Sequence, residues 1–165
     1  MTKTLEILND LKIEYKHVIH EPIINYEIAK KIDQENNLTG MESKNLFLVS
    51  KSNKYYLLVT KEGTRFDRIF FKELLEEKIS ITSPDELNAK TGYVVGSAPS
   101  FPYPDDVTYI IDISIFDHDK YICSAGIPTE SYEMITKDII KVYETQNNQV
   151  KFLDFDKGSF VDKPN

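Results

Sequence analysis

Asn45-Leu46-Phe47-Leu48-Val49-Ser50 and Tyr55-Tyr56-Leu57-Leu58-Val59-Thr60 are two apolar runs separated by Lys51-Ser52-Asn53-Lys54. Strand-forming residues on either side of a short polar connection predict a β-hairpin. Immediately upstream, Gln34 to Gly40 is a polar loop, and Gly40-Met41-Glu42-Ser43-Lys44 leads from it into the first run. Lys44 therefore stands at the boundary of a strand. Strand backbone can hold it rigid while its ammonium, a compact cation with three donors, faces a cleft. That suits it to grip a phosphate, a carbonyl or an ester. Lysine is also a common surface residue, so position alone does not separate this role from a solvated side chain.

Working outward, Thr4 to Leu11 has leucines at helical spacing (Leu5, Leu8, Leu11) and predicts a short amphipathic helix. Glu14 to Ile19 alternates as a strand, and His20-Glu21-Pro22 ends it, because proline donates nothing to a ladder. Asn25 is the expected N-cap of a helix from Tyr26 to about Asp33. Asp67 to Leu75 predicts a helix with Ile69, Phe70, Leu74 and Phe71 as its inward candidates, and Ile79 to Thr82 a short strand. Ser83-Pro84-Asp85-Glu86 is a helix start, with a capping serine, proline in the first turn and acids at the positive end of the dipole. Thr91-Gly92 ends that helix. Tyr93 to Val95, Val107 to Ile111 and Tyr121 to Ser124 read as strands, Thr129 to Met134 as an edge strand, and Thr136 to about Tyr143 as a last helix. Ser97 to Pro104 is too proline-rich for regular structure. Residues 145–165 are polar and read as a tail that docks loosely or is partly disordered. Irregular alternation of helices and strands, with short turns between several strands, predicts an α/β (α+β) domain over residues 1–144. Its expected architecture is a mixed, largely antiparallel sheet with packed helices.

The 165 residues carry a net charge of −7, unevenly spread. Residues 1–43 balance at −3, residues 44–78 at +3, and residues 79–165 at −7. The chain as a whole is a poor non-specific polyanion binder, and only Lys44, Lys51, Lys54, Lys61, Arg65, Arg68 and Lys72 offer a phosphate-facing patch. The same charges also serve as solvated edge protection for a sheet. No apolar run approaches a membrane span, the N-terminus lacks a signal-peptide h-region, and the single Cys123 has no intrachain partner. The expectation is a cytoplasmic protein with no membrane or DNA partner. Absence of G-x-G-x-x-G and P-loop patterns argues against dinucleotide and simple nucleoside-triphosphate chemistry.

Among candidate sites, His17-x-x-His20 places its histidines on opposite faces of a strand and suits a metal poorly, so no metal or cofactor is expected. Cys123 lies in the apolar run Tyr121-Ile122-Cys123 and reads as a small buried hydrophobe rather than a nucleophile. Two small-residue loops stand out: Gly96-Ser97-Ala98-Pro99 and Ser124-Ala125-Gly126-Ile127-Pro128-Thr129. Small residues let backbone approach a ligand, prolines stiffen the loop, and backbone N–H groups can face a carbonyl oxygen that becomes an oxyanion. Each loop alone also reads as an ordinary turn.

In order and spacing, these segments resemble one family. They are the helix, the strand into His20-Glu21-Pro22, Lys44-Asn45-Leu46-Phe47-Leu48, the hairpin, Ser83-Pro84-Asp85-Glu86-Leu87, Gly92-Tyr93-Val94-Val95-Gly96-Ser97 and Ser124-Ala125-Gly126. The chain is similar to the YbaK-like, prolyl-tRNA-synthetase-associated editing domains, deacylases that hydrolyse wrongly charged tRNA. The likeness covers roughly residues 1–144. Lys44-Asn45-Leu46-Phe47-Leu48 and the Gly-Ser turn look most like the alanyl-tRNA(Pro) branch. Ser124-Ala125-Gly126 is similar to the cysteinyl-tRNA(Pro) branch, whereas Phe101 and Pro102-Tyr103-Pro104 depart from it. The resemblance implies that the acceptor end of mischarged tRNA(Pro) is the substrate, with prolyl-tRNA synthetase as a possible partner. It implies Lys44 as the active-site lysine and Gly96 as the glycine whose backbone faces the aminoacyl group. Ser97, Ala98 and Pro99 would then form the size-limiting wall, with Ser124 and Gly126 on the opposite side. An aminoacyl ester is already activated, so positioning and oxyanion stabilisation suffice for a water helped by the ribose hydroxyl. Two other readings remain open: a non-catalytic aminoacyl-tRNA or amino-acid sensing module, and an interaction domain that recruits a partner through its tail.

Overall fold

The structure is a computed structural model describing residues 1–165. The hairpin is its centre. Strand β2 (Met41–Ser50) pairs antiparallel with β3 (Tyr55–Lys61) from Ser43↔Lys61 to Val49↔Tyr55. Around this pair the chain builds a mixed sheet of nine strands. They are β1 (Tyr15–Ile19), β4 (Ile79–Ile81), β5 (Val107–Asp112), β6 (Lys120–Ser124), β7 (Glu130–Ile135), β8 (Val150–Asp154) and β9 (Ser159–Val161), with β2 and β3. Their order is β1-β7-β6-β2-β3-β5-β8-β9, and β4 adds to β2. Pairings β2–β6, β3–β5 and β5–β8 are parallel, and the other five are antiparallel.

Helices cover both faces. Leu5 and Leu8 of α1 (Lys3–Asp10), Leu87 of α4 (Pro84–Thr91) and Ile139, Val142 and Tyr143 of α5 (Ile139–Thr145) join Phe47, Leu57, Val59 and Ile111 in the larger core. On the opposite face Leu48, Leu58 and Ile110 meet Phe71 of α3 (Arg68–Leu75), and Val18 and Ile122 meet Ile32 of α2 (Tyr26–Glu35). The alternation of β3 sorts these sets: Leu57 and Val59 turn one way, Leu58 the other. Each such fully buried side chain is worth about 1.5–3 kcal/mol of transfer free energy. The predicted caps form: Asn25 and Ser83 side chains accept from the Ile28 and Glu86 N–H groups, and Gly92 closes α4 at φ +79°; Asp67, expected as the first residue of its helix, instead caps α3 by accepting from the Ile69 N–H.

The structure corrects four expectations. Residues 145–165 are no loose tail. β8 pairs in register with β5 from Tyr109↔Val150 to Asp112↔Leu153, and Phe152 and Leu153 are buried. Polar residues surround a strand whose few apolar side chains face the two cores. Glu130 to Ile135 is not an edge strand but lies between β1 and β6. Tyr93 to Val95 is loop rather than strand. On α3, Ile69 is 71% exposed while Phe71 is fully buried, because the helix rotates Phe71 onto Leu48 and Ile110.

Candidate active site

Along one edge, β2 pairs with β6 at Met41 and Glu42 and with β4 from Leu48 to Ser50. Between them Ser43 to Phe47 have no strand neighbour on that side. Glu42 accepts from Glu62 N–H and Ser50 N–H donates to Lys54, so even-numbered residues of β2 direct their peptide groups at β3. Ser43 and Asn45 consequently direct theirs across the gap. The sheet opens there into a cavity of about 390 Å³. It lies between the start of β2, the end of β6, the His20–Tyr26 loop, α2 and the Val95–Ala98 turn.

The hinge at the start of β2 is built tightly. Buried Glu133 on β7 accepts from the N–H groups of Thr39 (2.9 Å) and Gly40 (2.8 Å). A Cβ on Gly40 would lie 2.9 Å from the Lys120 carbonyl carbon, so the glycine is required by close approach of backbone. These contacts aim Glu42, Ser43 and Lys44 into the cavity. Lys44 donates from Nζ to the Thr64 carbonyl at 2.5 Å, which steadies a half-buried cation at the cavity wall.

The two small-residue loops meet, although 27 residues separate them. Ser124 Oγ donates to the Ser97 carbonyl at 2.8 Å. Gly96 takes φ +88°, a left-handed turn that side chains with a Cβ rarely adopt. Lys44, Gly96, Ser97, Ala98 and Ser124 all line the cavity. Pro99 and Gly126 do not; they lie behind it, 3.7 Å apart measured from Pro99 Cγ to the position of a Cβ on Gly126. Asn45, which the sequence reading left aside, ties the floor together. Its Nδ2 donates to the Ala98 carbonyl (3.2 Å), and its Oδ1 accepts from Ser100 Oγ (2.9 Å). Cys123 is buried as expected, 3.3 Å from Ser100 Oγ.

Two further residues line the cavity: Glu42, which was not singled out from sequence, and His20, which was weighed there only as a metal ligand and as part of a strand-ending turn. Glu42 is pushed up to about 9, first by burial and then by the Asp33 carboxyl beside it, so it is protonated at neutral pH. A neutral Glu42 does not compete with an anionic ligand for Lys44. His20 has a partner at each ring nitrogen. Its Nδ1 lies 2.6 Å from the Glu21 carbonyl and its Nε2 2.8 Å from Ser131 Oγ. His17 turns elsewhere, to Glu130 at 2.7 Å. The strand-ending His20-Glu21-Pro22 was a local signal for His20. Ser131, 111 residues away, had none.

A cation, a positive-φ glycine turn, unpaired strand peptides and an oriented imidazole surround one concavity, an arrangement that can hold an acyl group and face its carbonyl oxygen with backbone N–H groups. Comparison with known proteins agrees with this chemistry. The family model of the aminoacyl-tRNA editing domain matches residues 27–142. The prolyl-tRNA editing protein ProX of Acetoanaerobium sticklandii is 27% identical over 154 residues, covering 89% of this chain and 92% of that protein. Among solved structures, the hypothetical protein APE2540 superposes with a TM-score of 0.75 at 17% identity, over 90% of this chain and 96% of the other. A candidate trans-editing enzyme for prolyl tRNA synthetase superposes at 0.68 with 15% identity, over 99% of both chains. At these identities the structural likeness speaks for the fold.

Proposed function

The chain belongs to the aminoacyl-tRNA editing domain family and is an aminoacyl-tRNA deacylase, and from that premise we propose that it clears mischarged tRNA(Pro) in trans, with alanine as the main amino acid removed and cysteine as the second. The observation that carries the reading is the convergence of Lys44 and the Gly96–Ala98 turn on one cavity of about 390 Å³. The 3′-terminal adenosine enters between the two loops, and Lys44 holds its phosphate or ester oxygen by charge. The Gly96 and Ala98 N–H groups receive the oxygen that becomes negative in the tetrahedral intermediate, the Ser97 N–H between them being held by the Val94 carbonyl at 3.0 Å.

Selectivity follows from size. Hydrogen bonds from Ser124 to the Ser97 carbonyl and from Asn45 to the Ala98 carbonyl brace the turn, which supports its reading as the wall that admits a small side chain and turns away the proline ring. A methylene-scale difference is worth only about 1–3 kcal/mol, so the braced wall must add a steric clash. The ProX relative's printed role, prolyl-tRNA editing, supports tRNA(Pro) as the acceptor. Deacylation of Ala-, Cys-, Ser- and Pro-tRNA(Pro) by the purified chain tests the proposal. Rapid release from Ala-tRNA(Pro) with Pro-tRNA(Pro) spared is expected. Hydrolysis of none of the four, or equal hydrolysis of Pro-tRNA(Pro), would overturn it.

A further inference from the structure

A water that attacks an ester must give up a proton, and His20 on the cavity wall is placed to take it. Glu42 already holds its proton, and the Tyr26 phenol is pushed up by burial and by nearby Glu62 and Glu42. Lys44 donates to the Thr64 carbonyl. Glu130 is engaged by His17. His20 differs from all of these. The Glu21 carbonyl can only accept, so the hydrogen sits on Nδ1, and in the neutral ring Nε2 bears a lone pair. That lone pair faces Ser131 Oγ, a buried hydroxyl on the cavity wall. Backbone fixes both partners: the His20 N–H donates to the Thr129 carbonyl at 2.9 Å, and Val18 sits opposite Ser131 in the β1–β7 ladder. A base within hydrogen-bond reach of a hydroxyl, and itself oriented by a third group, is the geometry of activated acyl transfer.

We propose that His20, acting through the Ser131 hydroxyl, is the general base for attack of water on the aminoacyl ester; the proposal rests on the deacylase reading and assigns its proton path. The water oxygen bonds to the carbonyl carbon and its proton passes to Ser131 Oγ, while Ser131 gives its own proton to His20 Nε2. As the tetrahedral intermediate collapses, the ester C–O bond breaks and the imidazolium returns a proton along the same path to the ribose oxygen. The products are the free amino acid and tRNA with its hydroxyl restored. No protein–acyl bond forms.

The test measures kcat and KM of the full chain on Ala-tRNA(Pro) for wild type, His20→Ala and Ser131→Ala, with and without added imidazole. Loss of a general base costs about 10²-fold or more in kcat. The expected result for His20→Ala is that loss with KM little changed, partly recovered by imidazole, which a merely structural role would not allow. Ser131→Ala is expected to lose about tenfold, since a water can take the place of the hydroxyl in the relay. A folded His20→Ala protein that keeps wild-type kcat, or whose loss imidazole leaves untouched, overturns the proposal. If His20→Ala does not fold, Ser131→Ala decides: unchanged kcat overturns the proposal and a loss in kcat alone supports it. Acyl-Ser131 detected by mass spectrometry after acid quench would overturn water as the attacking group. Wild-type protein that hydrolyses no aminoacyl-tRNA overturns the deacylase reading itself, whereas an active wild type with unaffected variants overturns the proton path alone.

Discussion

Glu42→Gln is expected to stabilise the protein, and to do so more strongly as pH rises. Glu42 lines the cavity with its carboxyl pushed from an ordinary 4.5 to about 9, mainly by burial and secondarily by Asp33. Its folded state thus binds the proton more tightly than the unfolded chain does. Stability linked to this group is fully present below about pH 4.5 and is lost progressively as pH rises toward 9. Each pH unit in that window costs at most about 1.4 kcal/mol, so moving from about pH 5.5 to about pH 7.5 costs up to ~2.7 kcal/mol. Glu42 is partly open to cavity water, and screening reduces this to about 1–2 kcal/mol. Glutamine keeps the shape and has no proton to lose, so it removes the slope. Urea unfolding of both proteins between about pH 5.5 and 8.5 reads the difference. With a slope near 2 kcal/mol per molar urea, the midpoints should separate by about 0.5–1 M over two pH units. A gap that stays constant with pH, or closes as pH rises, would refute a neutral Glu42.

Other expectations follow from single contacts. Lys44→Ala should lower kcat/KM for Ala-tRNA(Pro) by about 10²-fold or more, as removal of one oriented electrostatic donor does, while leaving the thermal midpoint within a few degrees; full activity would remove the role given to that residue. Gly40→Ala should destabilise by about 1–3 kcal/mol in chemical denaturation, because its Cβ meets Lys120 backbone that cannot swing aside. Leu153→Ala should cost about 2–5 kcal/mol, since that side chain is fully buried; a cost near zero would restore the reading of residues 145–165 as a loose tail. Arg68 and Lys72, exposed beside Lys78 in a shallow surface cleft, have no carboxylate within 4 Å. Charge reversal at both should weaken tRNA binding and flatten its salt dependence, measured by titration at several salt concentrations, while sparing hydrolysis of a short aminoacyl ester.

Most helices were legible because their signals are local. Asn25, Ser83 and Gly92 each act within four residues of their own position, and the structure uses all three as caps. The β2–β3 hairpin was legible for the same reason, a four-residue connection between two apolar runs. Strand order was not. The parallel pairings of β2 with β6, β3 with β5 and β5 with β8 join partners 80, 52 and 41 residues apart, and nothing in either segment names its neighbour. The role of residues 145–165 was missed on that account: their composition is polar, and only the vacant edge of β5 makes a strand of them.

The site divides the same way. Lys44 and the Gly96 and Ser124 loops carry their chemistry in residue type and local spacing, so the sequence alone could nominate them and place them in a family's pattern. That they share one cavity depends on β2 and β6 parting after two paired residues and on one hydrogen bond from Ser124 to Ser97. The pairing of His20 with Ser131 and the proton kept on Glu42 belong wholly to the tertiary structure. A histidine becomes a directed base only when separate parts of the chain fix both ring nitrogens, and a glutamate stays neutral only when packing removes its water. Residue identity determined which groups were available; burial and long-range contact decided what each of them can do.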